Sequence, residues 1–292
     1  MTGAGEGGDR LEVRRTAKLF IGGDFPRSES GRTFEVRGAG GELLAHAARA
    51  SRKDLRDAVK AARSAQHGWA ARTAYNRGQV LYRVAEIMEG RRAQFEDELR
   101  QAGAGEDPAR EVGTAIDRWV WYAGWADKLA QVIGGTNPVA GPYFNFTIPE
   151  PTGVVGVVAP DEPGLLGLVS RVAPAIVTGN TAVVLTSELA PLPAVTLGEV
   201  LATSDVPGGV VNLLTGSKAE LLPWLAGHMD VNALDLSGCP DELAAEVETS
   251  AAENVKRVHR APDVDAYDPR AQSPYEITAL LELKTVWHPM GA

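Results

Sequence analysis

Cys239 is the only cysteine among the 292 residues, and it occupies a position where a thiol can be reactive. It follows Ser237 and Gly238, and the next residue, Pro240, favours a helix that begins there. A thiol at the N-terminus of a helix can have a lowered pKa and act as a nucleophile. The alternative is a small residue in a turn, which is the interpretation we favour.

Two adjacent carboxylates, Asp161 and Glu162, follow Pro160 at the end of an apolar run. Paired carboxylates can serve in acid–base catalysis or in metal binding. A solvated loop after a strand explains the same pair, and we favour that explanation. The histidines are scattered along the chain without the spacing of metal ligands, so we predict no metal site.

The stretch Gly153 to Glu188 would position these carboxylates. It begins with an apolar strand, Val154 to Val158, and continues with apolar residues three or four apart up to a Gly-Asn pair. A second strand, Ala182 to Leu185, follows. Strand, helix and strand in this order predict a βαβ unit of a parallel sheet. A ligand is expected beyond the strand ends, near Asp161 and Glu188.

The rest of the chain alternates predicted helices and strands, which is typical of a doubly wound α/β fold. Predicted helices span residues 51–66, 75–100, 109–132, 191–203, 218–226 and 240–252, and predicted strands span 18–23, 33–36, 143–151, 210–214, 231–236 and 254–259. We therefore predict a Rossmann-like parallel sheet with N-terminal helices. The strand near residue 143 alternates with period two, and its prolines confine it to an edge or a ribbon.

Composition excludes several classes of partner. The net charge of −9, from 29 basic and 38 acidic residues, argues against nucleic acid and against an anionic membrane surface. No uninterrupted apolar run reaches the ~20 residues of a membrane helix. A single cysteine fits a reducing compartment, so we predict a cytoplasmic protein that binds neither nucleic acid nor membranes.

Several segments, in this order, resemble the aldehyde dehydrogenase superfamily. GVVGVVAPDEP and APAIVTGNTAVVLTSE are similar to the family's GVVGVIxPWNFP and APALAAGNTVVxKPSE, and KLFIGGDF is similar to its KLFINGEW opening. DVPGGVVNLLTG and DLSG resemble its GxPPGVVNxVxG and FTGS. Residues 275–288, YEITALLELKTVWH, resemble its last strand, so the resemblance predicts a strand there. The resemblance implies an NAD-binding domain with a β oligomerisation arm, built from residues 143–151 and the C-terminal strand, that pairs with another subunit.

The resemblance also assigns residues to a cofactor site. The positions that match the family's cofactor contacts are Pro160, Ser187, Glu188, Gly216, Gly238 and Cys239. Leu185 replaces the KPSE lysine, and an alkyl chain cannot donate a hydrogen bond to ribose hydroxyls. Asp161 and Glu162 replace the Trp and Asn of PWNFP, and a carboxylate repels a developing oxyanion. The retained positions allow NAD(P) binding, and the replaced ones argue against it.

The roles of two residues at this site can each be interpreted in two ways. Glu188 could bind a ribose or could only cap the following turn. Lys218 stands near the second glycine position of the family's phosphate loop. A lysine could attract phosphate there, but its side chain removes the close backbone approach that glycine allows.

The resemblance places the catalytic machinery outside this chain's matching segments. Family enzymes use a cysteine thiolate and a water-activating glutamate. Here the segment after NVKRV is polar, rich in proline and too short for a folded domain, so we predict no catalytic residue. The predicted segments are a flexible tail (1–17), an NAD-binding-like domain (18–259), a linker that replaces the catalytic domain (260–274) and a C-terminal oligomerisation strand (275–292).

The leading hypothesis is a non-catalytic subunit that forms homo-oligomers, or hetero-oligomers with a full-length aldehyde dehydrogenase. One alternative is an NAD(P)-dependent oxidoreductase that acts on aldehydes through Cys239. The other is a regulator that binds NAD without chemistry.

Overall fold

The structure is a computed structural model that describes residues 16–291. The predicted tail lies outside the described residues except for its last two, which form a strand. The strands are β1 Thr16–Ala17, β2 Thr33–Arg37, β3 Leu43–Ala48, β4 Gly135–Thr136, β5 Tyr143–Pro151, β6 Val154–Val158, β7 Thr181–Leu185, β8 Val211–Leu214, β9 Ala233–Asp235, β10 Arg257–His259 and β11 Leu281–Pro289. The helices are α1 Arg52–Ala70, α2 Ala74–Gly90, α3 Arg92–Ala102, α4 Pro108–Trp125, α5 Leu129–Val132, α6 Gly164–Ile176, α7 Pro191–Ala202, α8 Lys218–Ala226, α9 Asp241–Ala252 and α10 Pro274–Thr278, with a 3₁₀ turn at Pro269–Ala271.

A five-stranded parallel sheet forms the centre of the fold, in the order β10-β9-β6-β7-β8. Strands β6 and β7 are buried along their whole length because helices cover both faces of the sheet. Side chains of α2, α4, α6 and α7 pack on one face, and those of α1, α8 and α9 pack on the other. The predicted doubly wound, Rossmann-like α/β fold is therefore confirmed.

The direction of winding changes at β6. After β8 the chain returns across the sheet, and β9 pairs with β6 on the side away from β7. The crevice beyond the carboxyl ends of β6 and β9 is therefore the topological switch point, where open α/β sheets bind ligands. Residues 159–163 leave β6 there, and residues 236–240 leave β9 there.

Two long predicted helices are interrupted in the structure. The predicted helix 75–100 consists of α2 and α3, separated by Arg91, whose guanidinium donates to Glu199 at 2.7 Å. The predicted helix 109–132 consists of α4 and the short α5. Hydrophobic periodicity does not report such a break when the apolar side chains before and after it reach the same core.

Three strand predictions also differ from the structure. Strand β3 was not among the predicted elements because its sequence, LLAHAA, has low strand propensity, and pairing with β2 decides its conformation. The predicted strand 18–23 is reduced to isolated bridges from Phe20 to Leu213 and from Ile21 to Asp24. The predicted strand 275–288 begins only at Leu281, because Ser273 and Pro274 start helix α10.

Strands β11, β5 and β4 form a separate antiparallel sheet, which we call the arm. The long pair runs from Leu281 opposite Pro151 to Pro289 opposite Tyr143. At its base, the Asn180 side-chain amide donates to the carbonyl of Leu280 at 2.8 Å and ties the arm to the start of β7. The arm therefore joins residues that are more than a hundred positions apart in the chain.

Candidate functional site

Asp161, the first carboxylate after β6, links three loops at the switch point. Its Oδ1 accepts a hydrogen bond from the backbone N–H of Glu188 at 2.7 Å. The same oxygen lies 2.9 Å from Nζ of Lys218, a residue that is only 1% exposed. The Lys218 ammonium makes an ion pair there without the alignment of a hydrogen bond. Asp161 and Lys218 therefore fill part of the groove that the sequence predicted for a ligand.

Ser187 and Glu188, two predicted cofactor contacts, are engaged with the protein itself. The Ser187 hydroxyl donates to the Asp161 carbonyl at 2.9 Å and accepts from the N–H of Ala190 at 2.9 Å, just before α7. The Glu188 carboxylate accepts a hydrogen bond from the N–H of Lys218, the first residue of α8. This contact is not the cap of the following turn that the sequence suggested, because the carboxylate satisfies an N–H at the N-terminus of α8, thirty positions later in the chain.

Gly216 opens a small cavity of about 320 Å³ at the end of β8, lined by Phe34, Arg49, Glu188, Gly216 and Ser217. Its φ of +136° strains any other residue, and an added Cβ would lie 3.1 Å from the N atom of Ala50. The backbone can therefore approach β3 closely at this point. The cavity has an aromatic side chain, a cation and a carboxylate on its walls, which is enough to contact a nucleoside-sized group.

Pro160 and Gly238 meet where β6 and β9 end. The N–H of Gly238 donates to the carbonyl of Val158 at 2.9 Å. A Cβ on Gly238 would lie 2.1 Å from the carbonyl oxygen of Ala159 and 2.5 Å from the N atom of Pro160. Glycine is therefore required here by backbone contact, and that packing role exists whether or not a ligand binds.

Cys239 lies just before α9 and is 9% exposed. Its thiol donates to the carbonyl of Pro240 at 3.4 Å. Burial raises the pKa of Cys239, and the positive charge of Arg260 only partly opposes this effect. A raised pKa disfavours the thiolate that nucleophilic catalysis needs.

We expect Cys239 to react slowly with a thiol reagent such as Ellman's reagent at pH 7.5 in the native protein. The rate should rise at least tenfold in 6 M urea, because unfolding exposes the thiol and removes the burial that raises its pKa. Stopped-flow absorbance measures both rates, and Cys239→Ser gives the blank. A native rate equal to that of free glutathione would contradict this account.

The predicted linker 260–274 lies against the same edge of the sheet. It lines a second cavity of about 410 Å³ together with Pro160, Glu162 and Ser237. Arg118 of α4 holds this segment: its guanidinium donates to the carbonyl of Ala266 at 2.9 Å and to the Ser170 hydroxyl at 2.9 Å. The segment therefore covers the switch point instead of extending into solvent.

A buried ion cluster anchors α10 beside this cavity. Arg171 of α6 binds the carboxylate of Glu276 and lies 3.7 Å from Asp235. His259 Nε2 also contacts Glu276, at 3.0 Å. Although burial alone raises it, the hydrogen bond from His259 and the charge of Arg171 hold the pKa of Glu276 below its usual value. The sequence analysis missed this cluster, and a lone arginine inside an otherwise apolar helix was the available signal.

Glu111 is a further buried carboxylate that the sequence analysis missed. One oxygen accepts the N–H groups of Leu165 and Leu166 at 2.8 and 3.1 Å, at the start of α6. Burial raises the pKa of Glu111. The N-terminus of α6 is therefore capped by the protein itself.

Neither a metal cluster nor a membrane span is found in the described part of the chain. Within residues 16–291, no three His, Cys, Asp or Glu side chains gather closely enough to hold a metal ion. Over the same residues, every helix is too short or too polar to cross a bilayer.

The sequence was compared with models of known protein families and with known proteins. The model of the aldehyde dehydrogenase family matches residues 25–261. The chain belongs to the aldehyde dehydrogenase family. It is 35% identical over 255 residues to aldehyde dehydrogenase family 2 member B4, mitochondrial, from Arabidopsis thaliana, covering 85% of this chain and 46% of that relative. It is 34% identical over 256 residues to retinal dehydrogenase 2 from Gallus gallus, covering 85% and 48%.

Solved structures of other proteins have the same architecture. The NAD+ complex of the Bacillus cereus enzyme superimposes with a TM-score of 0.78 at 28% identity, covering 85% of this chain and 51% of that one. HpcC from Thermus thermophilus superimposes with a TM-score of 0.79 at 33% identity, covering 85% and 48%. This aldehyde dehydrogenase family chain thus spans about half the length of the relatives that it matches. The resemblance noted in the sequence is confirmed.

Proposed function

We propose that this chain is a non-catalytic aldehyde dehydrogenase family subunit that associates with itself or with a full-length aldehyde dehydrogenase. The observation that carries the proposal is the state of Cys239, the sequence's only thiol. It is buried against Pro240 and its pKa is raised, whereas an acyl-accepting cysteine must be exposed and ionised.

The short connection between β10 and β11 supports the same proposal. His259 ends β10 and Leu281 begins β11, and the residues between them form only a 3₁₀ turn and helix α10. In the family, by the resemblance, the catalytic domain stands between these strands. Twenty-one residues that lie against the sheet edge are too few to supply such a domain.

The residues at the switch point fit a nicotinamide dinucleotide poorly. The Bacillus cereus relative is named as an NAD+ complex. In this chain Leu185 is buried and cannot donate to a ribose, and Glu188 already accepts the N–H of Lys218. The ion pair between Asp161 and Lys218 would have to separate before a pyrophosphate could approach the N-terminus of α8.

The expected result of an activity assay is no NADH or NADPH formation from a panel of aliphatic and aromatic aldehydes. Absorbance at 340 nm measures it, with the Bacillus cereus enzyme as the positive control. Turnover that Cys239→Ser abolishes would overturn the proposal. Turnover that survives in Cys239→Ser would point to a contaminating enzyme.

A second candidate is an NAD-binding regulator, favoured by the nucleoside-sized cavity beside Gly216. Isothermal titration calorimetry with NAD+ and with adenosine monophosphate separates it from the first. Binding that weakens in Glu188→Gln would favour the regulator, and the absence of heat at millimolar ligand would eliminate it.

A further inference from the structure

We infer that the cavity beneath residues 260–274, which we call the covered cavity, binds a small monocarboxylate on the free edge of the Arg171 guanidinium. Its volume of about 410 Å³ lies in the range of small-molecule sites. The inference goes beyond the proposed function, since it requires neither subunit association nor the absence of turnover. It rests on two buried guanidinium groups, on the hydrogen-bond acceptors that they lack and on the position of the carboxylates around them.

The two guanidinium groups belong to Arg118 of α4 and Arg171 of α6, and both residues line the covered cavity. Arg118 is 2% exposed and Arg171 is 5% exposed. A guanidinium stays protonated in a protein, so its positive charge is taken out of water together with the side chain. This costs free energy unless an anion in contact with the guanidinium compensates the charge.

Arg118 makes no ion pair with a carboxylate among residues 16–291, because its contacts there are with neutral groups. Nη1 donates to the Ser170 hydroxyl at 2.9 Å and to the carbonyl of Ala271 at 3.3 Å, and Nη2 donates to the carbonyl of Ala266 at 2.9 Å. Nε has no hydrogen-bond partner. Burial lowers the pKa of Arg118, and the positive charge of Arg171 acts in the same direction. The charge of Arg118 therefore lacks a counter-ion in direct contact.

Arg171 has one edge that the protein does not use. Its Nη1 donates to the carboxylate of Glu276 and lies 3.7 Å from Asp235. Among residues 16–291, Nε and Nη2 of Arg171 have no hydrogen-bond acceptor, and neither atom is completely enclosed by protein. Nε and Nη2 form the planar fork that binds a carboxylate through two parallel hydrogen bonds. A ligand carboxylate on this fork would also supply negative charge near Arg118.

The other lining residues favour a single negative charge and an apolar tail. Glu162 and Asp263 line the covered cavity with exposed side chains, so they form its rim. Their charges repel a doubly charged anion such as phosphate more strongly than a monocarboxylate. Pro160, Pro163 and Val264 add apolar walls, against which an aliphatic chain is removed from water. A short aliphatic monocarboxylate such as butanoate therefore fits this site best.

Isothermal titration calorimetry with sodium butanoate, in a buffer that contains no other carboxylate, tests the inference. We expect a dissociation constant on the order of 1 mM, which suits a ligand of this size. Butanamide has the same shape and no charge, so it should bind at least about tenfold more weakly. Inorganic phosphate should also bind more weakly, because of the two rim carboxylates.

Substitutions at Val264 test the position of the ligand. Val264→Trp keeps both guanidinium groups and fills the covered cavity, so it should abolish butanoate binding. Val264→Ala is the matched control, and it should bind butanoate within about threefold of the unchanged protein because it removes only part of one apolar wall. Circular dichroism verifies that both variants are folded.

Charge substitutions test the chemistry of recognition. Arg171→Lys keeps a cation but loses the planar fork, so the affinity for butanoate should fall at least about tenfold. Glu162→Gln removes a negative charge from the exposed rim, and the affinity should rise roughly two- to fivefold. Glu246→Gln, an exposed glutamate of α9 that does not line the cavity, should leave the affinity unchanged. The Glu162→Gln result remains informative even if Arg171→Lys does not fold.

Several results would overturn the inference. They are the absence of heat with about 20 mM butanoate, which is well above the expected dissociation constant, equal affinity for butanamide, tighter binding of phosphate, and unchanged binding to a folded Val264→Trp. None of these measurements depends on the oligomeric state or on turnover, so the failure of this inference and the failure of the proposed function are distinguishable.

Discussion

Replacing Arg171 with methionine is expected to destabilise the protein by about 3–5 kcal/mol, because it leaves two buried carboxylates without their cation. Glu276 and Asp235 are both almost completely buried, and Arg171 is the guanidinium that contacts them. His259 would remain beside Glu276, and it neutralises that carboxylate only when it is protonated. Helix α10 contains Glu276 and leads into β11, so it depends on the contact between Arg171 and Glu276. Loss of this contact should therefore destabilise the arm as well.

Urea unfolding followed by circular dichroism measures the loss. The matched control is Arg260→Met, because Arg260 pairs with Glu248 at 3.1 Å on the surface, where an ion pair contributes no more than about 1 kcal/mol. Equal losses of stability in the two variants would contradict this explanation.

The pH dependence of stability gives a second test. The folded pKa of Glu276 lies below the ordinary value of 4.5, so its contribution to stability is present above that pH and disappears as the pH falls further.

Replacing Trp69 with alanine is expected to cost about 3–5 kcal/mol of unfolding free energy. Trp69 is 1% exposed and fills the space between the end of α1 and the end of α6. Its indole N–H donates to the carbonyl of Ile176 at 2.8 Å, the last residue of α6. The variant loses this hydrogen bond and leaves a cavity beside the central βαβ unit.

Two further variants separate the causes of that loss. Trp69→Phe keeps most of the volume and removes the N–H, so it should lose only about 1–3 kcal/mol. Trp224→Ala removes a half-exposed tryptophan of α8, stacked under Arg52 at 3.6 Å, and should cost about 1 kcal/mol. Guanidinium unfolding ranks the three variants, and a Trp224→Ala loss as large as that of Trp69→Ala would refute this explanation.

The central strands of the sheet could be predicted because an uninterrupted apolar run in the sequence indicates a strand that is buried on both faces. Strand β6 is five consecutive valine and glycine residues, and only a strand covered on both faces reads in this way. The Ser51 cap was also readable, since a serine followed by an acid three residues later forms the capping box that the structure shows. Such local signals depend on neighbours within one turn of the chain.

The contacts inside the candidate site could not be predicted in the same way. From the sequence, Lys218 could either attract phosphate or block the close approach of the backbone, and in the structure it is buried beside Asp161, fifty-seven positions earlier in the chain. Arg171 and Glu276 are a hundred and five positions apart. Periodicity reports which side of an element is buried, but it does not report which distant polar group shares that burial.

The sequence by itself determined the family, the order of most elements, the parallel sheet and the loops at which candidate residues lie. The tertiary structure alone decided that these residues contact one another, that residues 260–274 cover the switch point, and that β11 pairs with β5 and, among residues 16–291, has no partner at its other edge. The physical reason is the separation along the chain between the residues that interact. Apolar spacing and helix caps are set by adjacent residues, whereas ion pairs and strand registers form only after packing brings distant segments together.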